Sequence, residues 1–134
     1  MAYIGTVGFD LYQKDGDTWL LCCSFASEEG ETYADSWEFP TEETRSLLIR
    51  FLLYAGVKKL ELGLCKEATL NALPYPNSRP VIFYGSSITQ CGCASRSGCS
   101  DTADSSRALD FDYRNLGFSS GVRAEEAMIE YLQK

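Results

Sequence analysis

A chain of 134 residues with 45% apolar content has the bulk for one ordinary globular core but not for two complete ones. Nineteen acids against twelve bases leave a net charge of −7 with no basic cluster, which argues against nucleic acid and anionic membrane surfaces as partners. No apolar run is long enough to span a bilayer, and Met1-Ala-Tyr-Ile-Gly-Thr-Val-Gly8 lacks the basic start and apolar core of a signal peptide, so a cytoplasmic location is the expectation.

In chain order, Gly8-Phe9-Asp10-Leu11-Tyr12 and Thr18-Trp19-Leu20-Leu21 predict two strands around a short turn at Asp15-Gly16. Glu28-Glu29-Gly30-Glu31 reads as a solvated loop. Arg45 to Tyr54 is the most apolar stretch. In Val57 to Leu64 the apolar residues fall at 57, 60, 62 and 64, close to the alternation of a half-buried strand. Leu73-Pro-Tyr-Pro-Asn-Ser-Arg-Pro80 breaks that periodicity and marks the expected boundary between two parts, residues 1–75 and 76–134.

Beyond the boundary, Pro80-Val-Ile-Phe-Tyr84 predicts a short buried strand, and Gly85-Ser-Ser-Ile-Thr-Gln90 a tight turn into a helix. A serine on such a turn can present a nucleophile, with free helix N–H groups beside it for a developing oxyanion. The chain contains no histidine, the usual base for that serine. Ser100 to Ala108 is the expected next helix, although only Ala103 and Ala108 in it are apolar. Phe111 to Phe118 is the following strand, and its Asp112 and Arg114 would be costly on a strand covered on both faces. Arg123 to Gln133 predicts an amphipathic helix with Ala124, Ala127, Met128, Tyr131 and Leu132 on one face.

Pro80-Val-Ile-Phe-Tyr-Gly-Ser-Ser-Ile-Thr-Gln90, Gly92-Cys-Ala-Ser-Arg96 and Asn115-Leu-Gly-Phe-Ser119 together resemble the SGNH (GDSL-type) hydrolase superfamily, in the branch with an N-terminal β-domain. The resemblance runs loosely from Gly8 to the C-terminus. It implies an α+β chain: an antiparallel β-sandwich-like domain, then the first β-α-β-α portion of a flavodoxin-like hydrolase domain. It places the nucleophile at Ser87, with the N–H groups of Ser87 and Ser120 as oxyanion donors. It implies a carboxylic-ester hydrolase that cleaves a small acyl ester or an acylated carbohydrate, with no cofactor and no metal. The family's later blocks, Gly-x-Asn-Asp and Asp-x-x-His, do not occur in the chain. The expectation is therefore a truncated hydrolase, inactive by itself, whose missing blocks lie beyond codon 134, and whose incomplete α/β part packs on the β-domain, stays loose or self-associates.

Several positions depart from the family pattern. Ser120 stands where the oxyanion-hole glycine is usual, and Cys91 and Cys99 where glycine and asparagine are usual. Asp104 and Ser105 fall where bulky aliphatics are usual. The six cysteines, at 22, 23, 65, 91, 93 and 99, show neither a secreted disulfide framework nor paired Cys-x-x-Cys metal knuckles, and read as buried or free thiols. Two other readings stand beside the enzyme. One is a binding or assembly module with a vestigial hydrolase segment, in which Trp19, Trp37, Tyr33 and Tyr54 form a sugar-stacking platform. The other is a relic without function. On composition, slow amide exchange is expected from Phe9 to Leu64 and fast exchange from Cys93 to Arg114.

Overall fold

The computed structural model describes residues 8–26, 32–54, 56–123 and 125–133. The acidic run 28–31 and Ala124 lie outside the described residues. Strand β1 (Gly8–Asp15) turns at Gly16-Asp17 into β2 (Thr18–Ala26), with Asp15 opposite Thr18. Gly16 takes φ +58, which a tight two-residue connection asks of glycine. The register slips between Leu11 and Tyr12, leaving Cys22 as the extra residue of a bulge. β3 (Leu47–Arg50) pairs antiparallel on the other edge of β1, so the sheet order is β2-β1-β3.

Both faces of β1 are used. Phe9 lies opposite Phe25, with ring centroids 4.8 Å apart, and its ring also meets Tyr33 and Phe51. On the alternate face, Asp10 and Tyr12 are buried, Asp10 completely. That face looks not at a second sheet but at the segment after the boundary. Among the described residues the N-terminal part is one three-stranded sheet, and the expected sandwich partner is not among them.

The second part is a parallel pair, β4 (Val81–Gly85) and β5 (Tyr113–Gly117), in register from Val81 opposite Tyr113 to Gly85 opposite Gly117. Parallel neighbours need a crossover. It consists of α1 (Ser87–Gln90), a 3₁₀ turn (Ser97–Cys99) and α2 (Asp101–Leu109). Ser100 caps α2 by accepting the Ala103 N–H, Asp101 and Asp104 occupy its first turn and Arg107 its last, as the helix dipole favours. The buried face of α2 is Thr102, Ala103 and Ser106, so close approach replaces bulk, while Asp104 points to solvent. β5 carries Arg114 exposed, and Asp112 folds back onto the Tyr113 N–H at 2.9 Å, so neither charge is buried unpaired.

The two parts are joined by polar contacts. Ser97 Oγ donates to the Gly8 carbonyl at 3.1 Å, and the Gly98 N–H donates to Asp10 Oδ2 at 2.8 Å. Arg50 donates to Ser106 Oγ at 2.7 Å and stacks over Tyr113, while Arg107 lies over the Tyr12 ring. The α/β part thus packs on the N-terminal sheet.

Two expectations are corrected. Val57 to Leu64 is not a strand: none of the described strands takes up its backbone in a ladder, and Leu60, Leu62 and Leu64 are 42–52% exposed. Alternation makes a strand only where a neighbour takes its backbone hydrogen bonds. The last helix, α3 (Glu126–Leu132), is shorter than 123–133 and buries no residue; Met128 and Leu132 are half-buried, and Tyr131 is exposed. No helix among the described residues is long and apolar enough to cross a membrane.

Candidate active site around Ser87

β4 delivers the chain to Gly85, where Thr89 folds back so closely that a Cβ would overlap its hydroxyl. Ser86 caps α1, its side chain accepting the Ile88 N–H, and Ser87 opens the helix, exposed. No described side chain hydrogen-bonds Ser87, so its hydroxyl has neither a base nor a competing partner among the described residues. Cys91 ends α1 at φ +60, the left-handed conformation that glycine adopts at least cost.

The segment after β5 is locked onto that helix. Asn115 Nδ2 donates to the Thr89 carbonyl (2.8 Å) and to Thr102 Oγ1 (3.2 Å), while its Oδ1 accepts the Gly117 N–H (2.9 Å). Gly117 lies so close to Gln90 that a Cβ there would strike the Gln90 backbone. Ser119 Oγ donates to Gln90 Oε1 at 3.0 Å. The two blocks, about thirty residues apart, thus meet at one place through an amide fork and a glycine contact.

Ser87 opens onto a cleft of about 580 Å³ whose wall includes Tyr54, Cys93, Cys99, Asp101 and Ser119. A smaller hollow of about 200 Å³ shares Ile88, Cys91 and Asp101 but not Ser87, and is set aside for that reason. Ser119 lines the cleft, whereas Ser120, the expected oxyanion donor, is exposed beside it with φ +64. That left-handed turn is the one glycine would favour, and serine holds it under strain. Two wall residues were not singled out as site residues from sequence, Ser119 and Asp101, while Tyr54, considered there as part of a sugar platform, reaches the cleft from the first part of the chain. The signal for Asp101 is its place at the first turn of a capped helix.

A sequence model of the GDSL-like lipase/acylhydrolase family matches residues 78–134, the span that carries both blocks. Over that span the chain is similar to the GDSL-like hydrolases. Its similarity extends in three dimensions to a crystal structure from Bacteroides ovatus described as a GDSL-like lipase. The two share 28% sequence identity at a TM-score of 0.87, over 98% of this chain and 39% of that one. The chain therefore spans about two-fifths of the length of that protein. No match was found among the curated proteins.

The other candidate groups do not converge on Ser87. Trp37 packs edge-on to Phe39, Tyr33 stacks on Phe9, and Trp19 takes the Lys14 ammonium over its ring. Of the four aromatics considered as a sugar platform, Tyr54 is the one on the cleft. All six cysteines are free thiols, and no three His, Cys, Asp or Glu side chains among the described residues are grouped to hold a metal ion. Burial pushes the Cys23 thiol up to about 11, with the neighbouring Cys22 adding to it, so it is a poor nucleophile.

Proposed function

We propose that the chain supplies the nucleophile and first oxyanion donors of an SGNH-type carboxylic-ester hydrolase acting on a small acyl ester or an acylated carbohydrate. Residues 1–75 are, in this reading, a β-domain and residues 76–134 the opening of a flavodoxin-like hydrolase domain. Ser87 Oγ would bond to the acyl carbon as its proton passes to a base. The carbonyl oxygen would take up the negative charge against the N–H groups of Ser87 and Ser120. The leaving alcohol would depart with a proton, and water would then release the acid from the ester of Ser87. The observation that carries the proposal is the unobstructed Ser87 at the start of α1, on a cleft that Ser119 also lines.

The chain has no histidine, and removing the base from a serine triad costs on the order of 10⁴- to 10⁶-fold. These 134 residues on their own are therefore expected to cleave p-nitrophenyl acetate no faster than Ser87→Ala. A Ser87-dependent rate would overturn that expectation and point to Asp101, the carboxylate on the cleft wall, as the base. The acyl site itself is tested without turnover, by titrating phenylboronic acid, which bonds to a serine oxygen as a tetrahedral adduct. The amide resonances of Ser87, Ser119 and Ser120 should move together in the wild type and stay still in Ser87→Ala. Unmoved resonances in both would refute the site.

A further inference from the structure

The wall of the Ser87 cleft facing α1 comes from residues 91–99, and two glycines on that loop are occupied from outside it. At Gly92 a Cβ would overlap the hydroxyl of Tyr54. At Gly98 it would overlap the hydroxyl of Tyr12 and crowd Asp10 Oδ2. Cys93, Ala94 and Cys99, between or beside those glycines, line the cleft with Ser87. Both occupying groups belong to the first part of the chain, more than thirty residues before the nucleophile.

Asp10 is the stronger of the two attachments. It is completely buried, yet both its oxygens are engaged: Oδ1 accepts from Ser24 Oγ at 2.6 Å, Oδ2 from the Gly98 N–H at 2.8 Å and from Tyr12 Oη at 3.5 Å. Arg96 Nε lies 3.5 Å from Oδ2, near enough for charge attraction although not placed to hydrogen-bond. A carboxylate is acceptor-only, so it can face donors from β1, β2 and the loop at once without conflict. Ser97 adds a tie from the loop to the Gly8 carbonyl. The loop thus has a hydrogen-bonded anchor at Gly98 and a steric one at Gly92.

We infer that the N-terminal sheet is the clamp that sets the cleft wall opposite Ser87, with Asp10, Tyr12 and Tyr54 as positioning residues of the site. The consequence goes beyond the proposed ester chemistry: the first part of the chain is not a separate module but shapes the cavity of the second. The inference rests on the proposed function only in taking that cleft as the acyl site. Its test needs no catalysis, so the two can fail separately.

The experiment is amide exchange and chemical-shift mapping by NMR on the full chain and its variants. Asp10→Ala should speed Gly98 exchange about ten- to a hundredfold, the range for a lost hydrogen bond to a charged group, and shift the Ser87 amide. Amides of β1 and β2 should change far less. Asp10→Asn, which keeps an acceptor oxygen, should restore part of the Gly98 protection. Parallel acceleration of Gly98 and the β1 amides would show a general core residue and overturn the inference, as would an unchanged Gly98. If Asp10→Ala does not fold, Tyr54→Ala decides: it should shift the amides of Gly92, Cys93 and Ser87 while leaving Gly98 in place. No shift at Gly92 and Cys93 would refute the clamp.

Discussion

Residues 57–73 and residues 97–106 exchange the places their compositions suggest. The first segment carries Leu60, Leu62, Leu64, Leu70 and Leu73, all of them 42–65% exposed. The second is rich in serine, and Ser97, Ser100, Thr102 and Ser106 in it are at most 3% exposed. The difference teaches that a residue is buried by what it can be joined to. The leucines lack a paired strand, whereas each buried hydroxyl has an oxygen or an N–H within reach: Ser97 with Gly8, Ser100 with Ala103, Thr102 with Asn115, Ser106 with Arg50 and Phe111. Small side chains also let α2 approach β5 and the Arg50 end of β3 closely enough for its bonds to them to form.

Substitution breaks the comparison most directly. Ser106→Ala strands the Arg50 guanidinium and the Phe111 carbonyl, and should cost about 1–3 kcal/mol in urea unfolding. Leu62→Ala, by contrast, should stay within about 0.5 kcal/mol, as exposed sites do. If Leu62→Ala proved the costlier of the two, the leucine segment would be packed and the comparison wrong. Amide exchange sharpens the same point: residues 97–106 should exchange more slowly than residues 57–73, the reverse of what composition suggests.

Cys23 offers a pH-dependent reading of the N-terminal sheet. Its thiol, raised from 9.0 to about 11, should alkylate with iodoacetamide about a hundredfold more slowly at pH 8 than a thiol of ordinary acidity. The sheet favours the neutral thiol. The associated stability is therefore fully present below pH 9 and is lost as the pH rises from 9 towards 11. Rapid labelling at pH 8 without loss of structure would show that the β2 bulge opens. The smallest effect is at the turn beside the cleft. Ser120→Gly relieves the left-handed backbone at φ +64 and, after glycine's greater freedom in the unfolded chain, should stabilise by about 0.5 kcal/mol. A loss of stability would mean that the serine side chain is itself held there.

Much of the framework was legible because local signals carried it. Asp15-Gly16 between alternating residues marked the hairpin, and the apolar run up to Gly85 marked β4 and the turn to Ser87, whereas α2 was expected at Ser100 to Ala108 against its own composition. The family blocks brought Ser87 and the 115–120 segment to one site, and Asn115 shows how. What was not legible is long-range. The alternation of 57–64 says nothing about whether a neighbour exists. The polar face of α2 looks like a poor helix until Arg50 and Asn115 are seen against it. Ser119 lines the cleft and Ser120, one residue on, takes a left-handed conformation that the motif does not announce. A glycine that seats a distant tyrosine, as Gly92 does, leaves no mark in its own neighbourhood of sequence.

The bonds from Gly98 to Asp10 and from Ser97 to Gly8 span 88 and 89 residues, which makes them a statement about the order of folding. Closing a loop of that length costs about 4 kcal/mol of chain entropy, with no reward until both ends are in place. The β1–β2 hairpin, whose partners sit within eighteen residues of one another, meets no such barrier. The hairpin should therefore form early and the cavity late. During synthesis the cavity wall cannot close until Gly98 has left the ribosome. Pulse-labelled exchange during refolding should show β1 and β2 protected well before Gly98, with the Ser87 cleft completed in the final step.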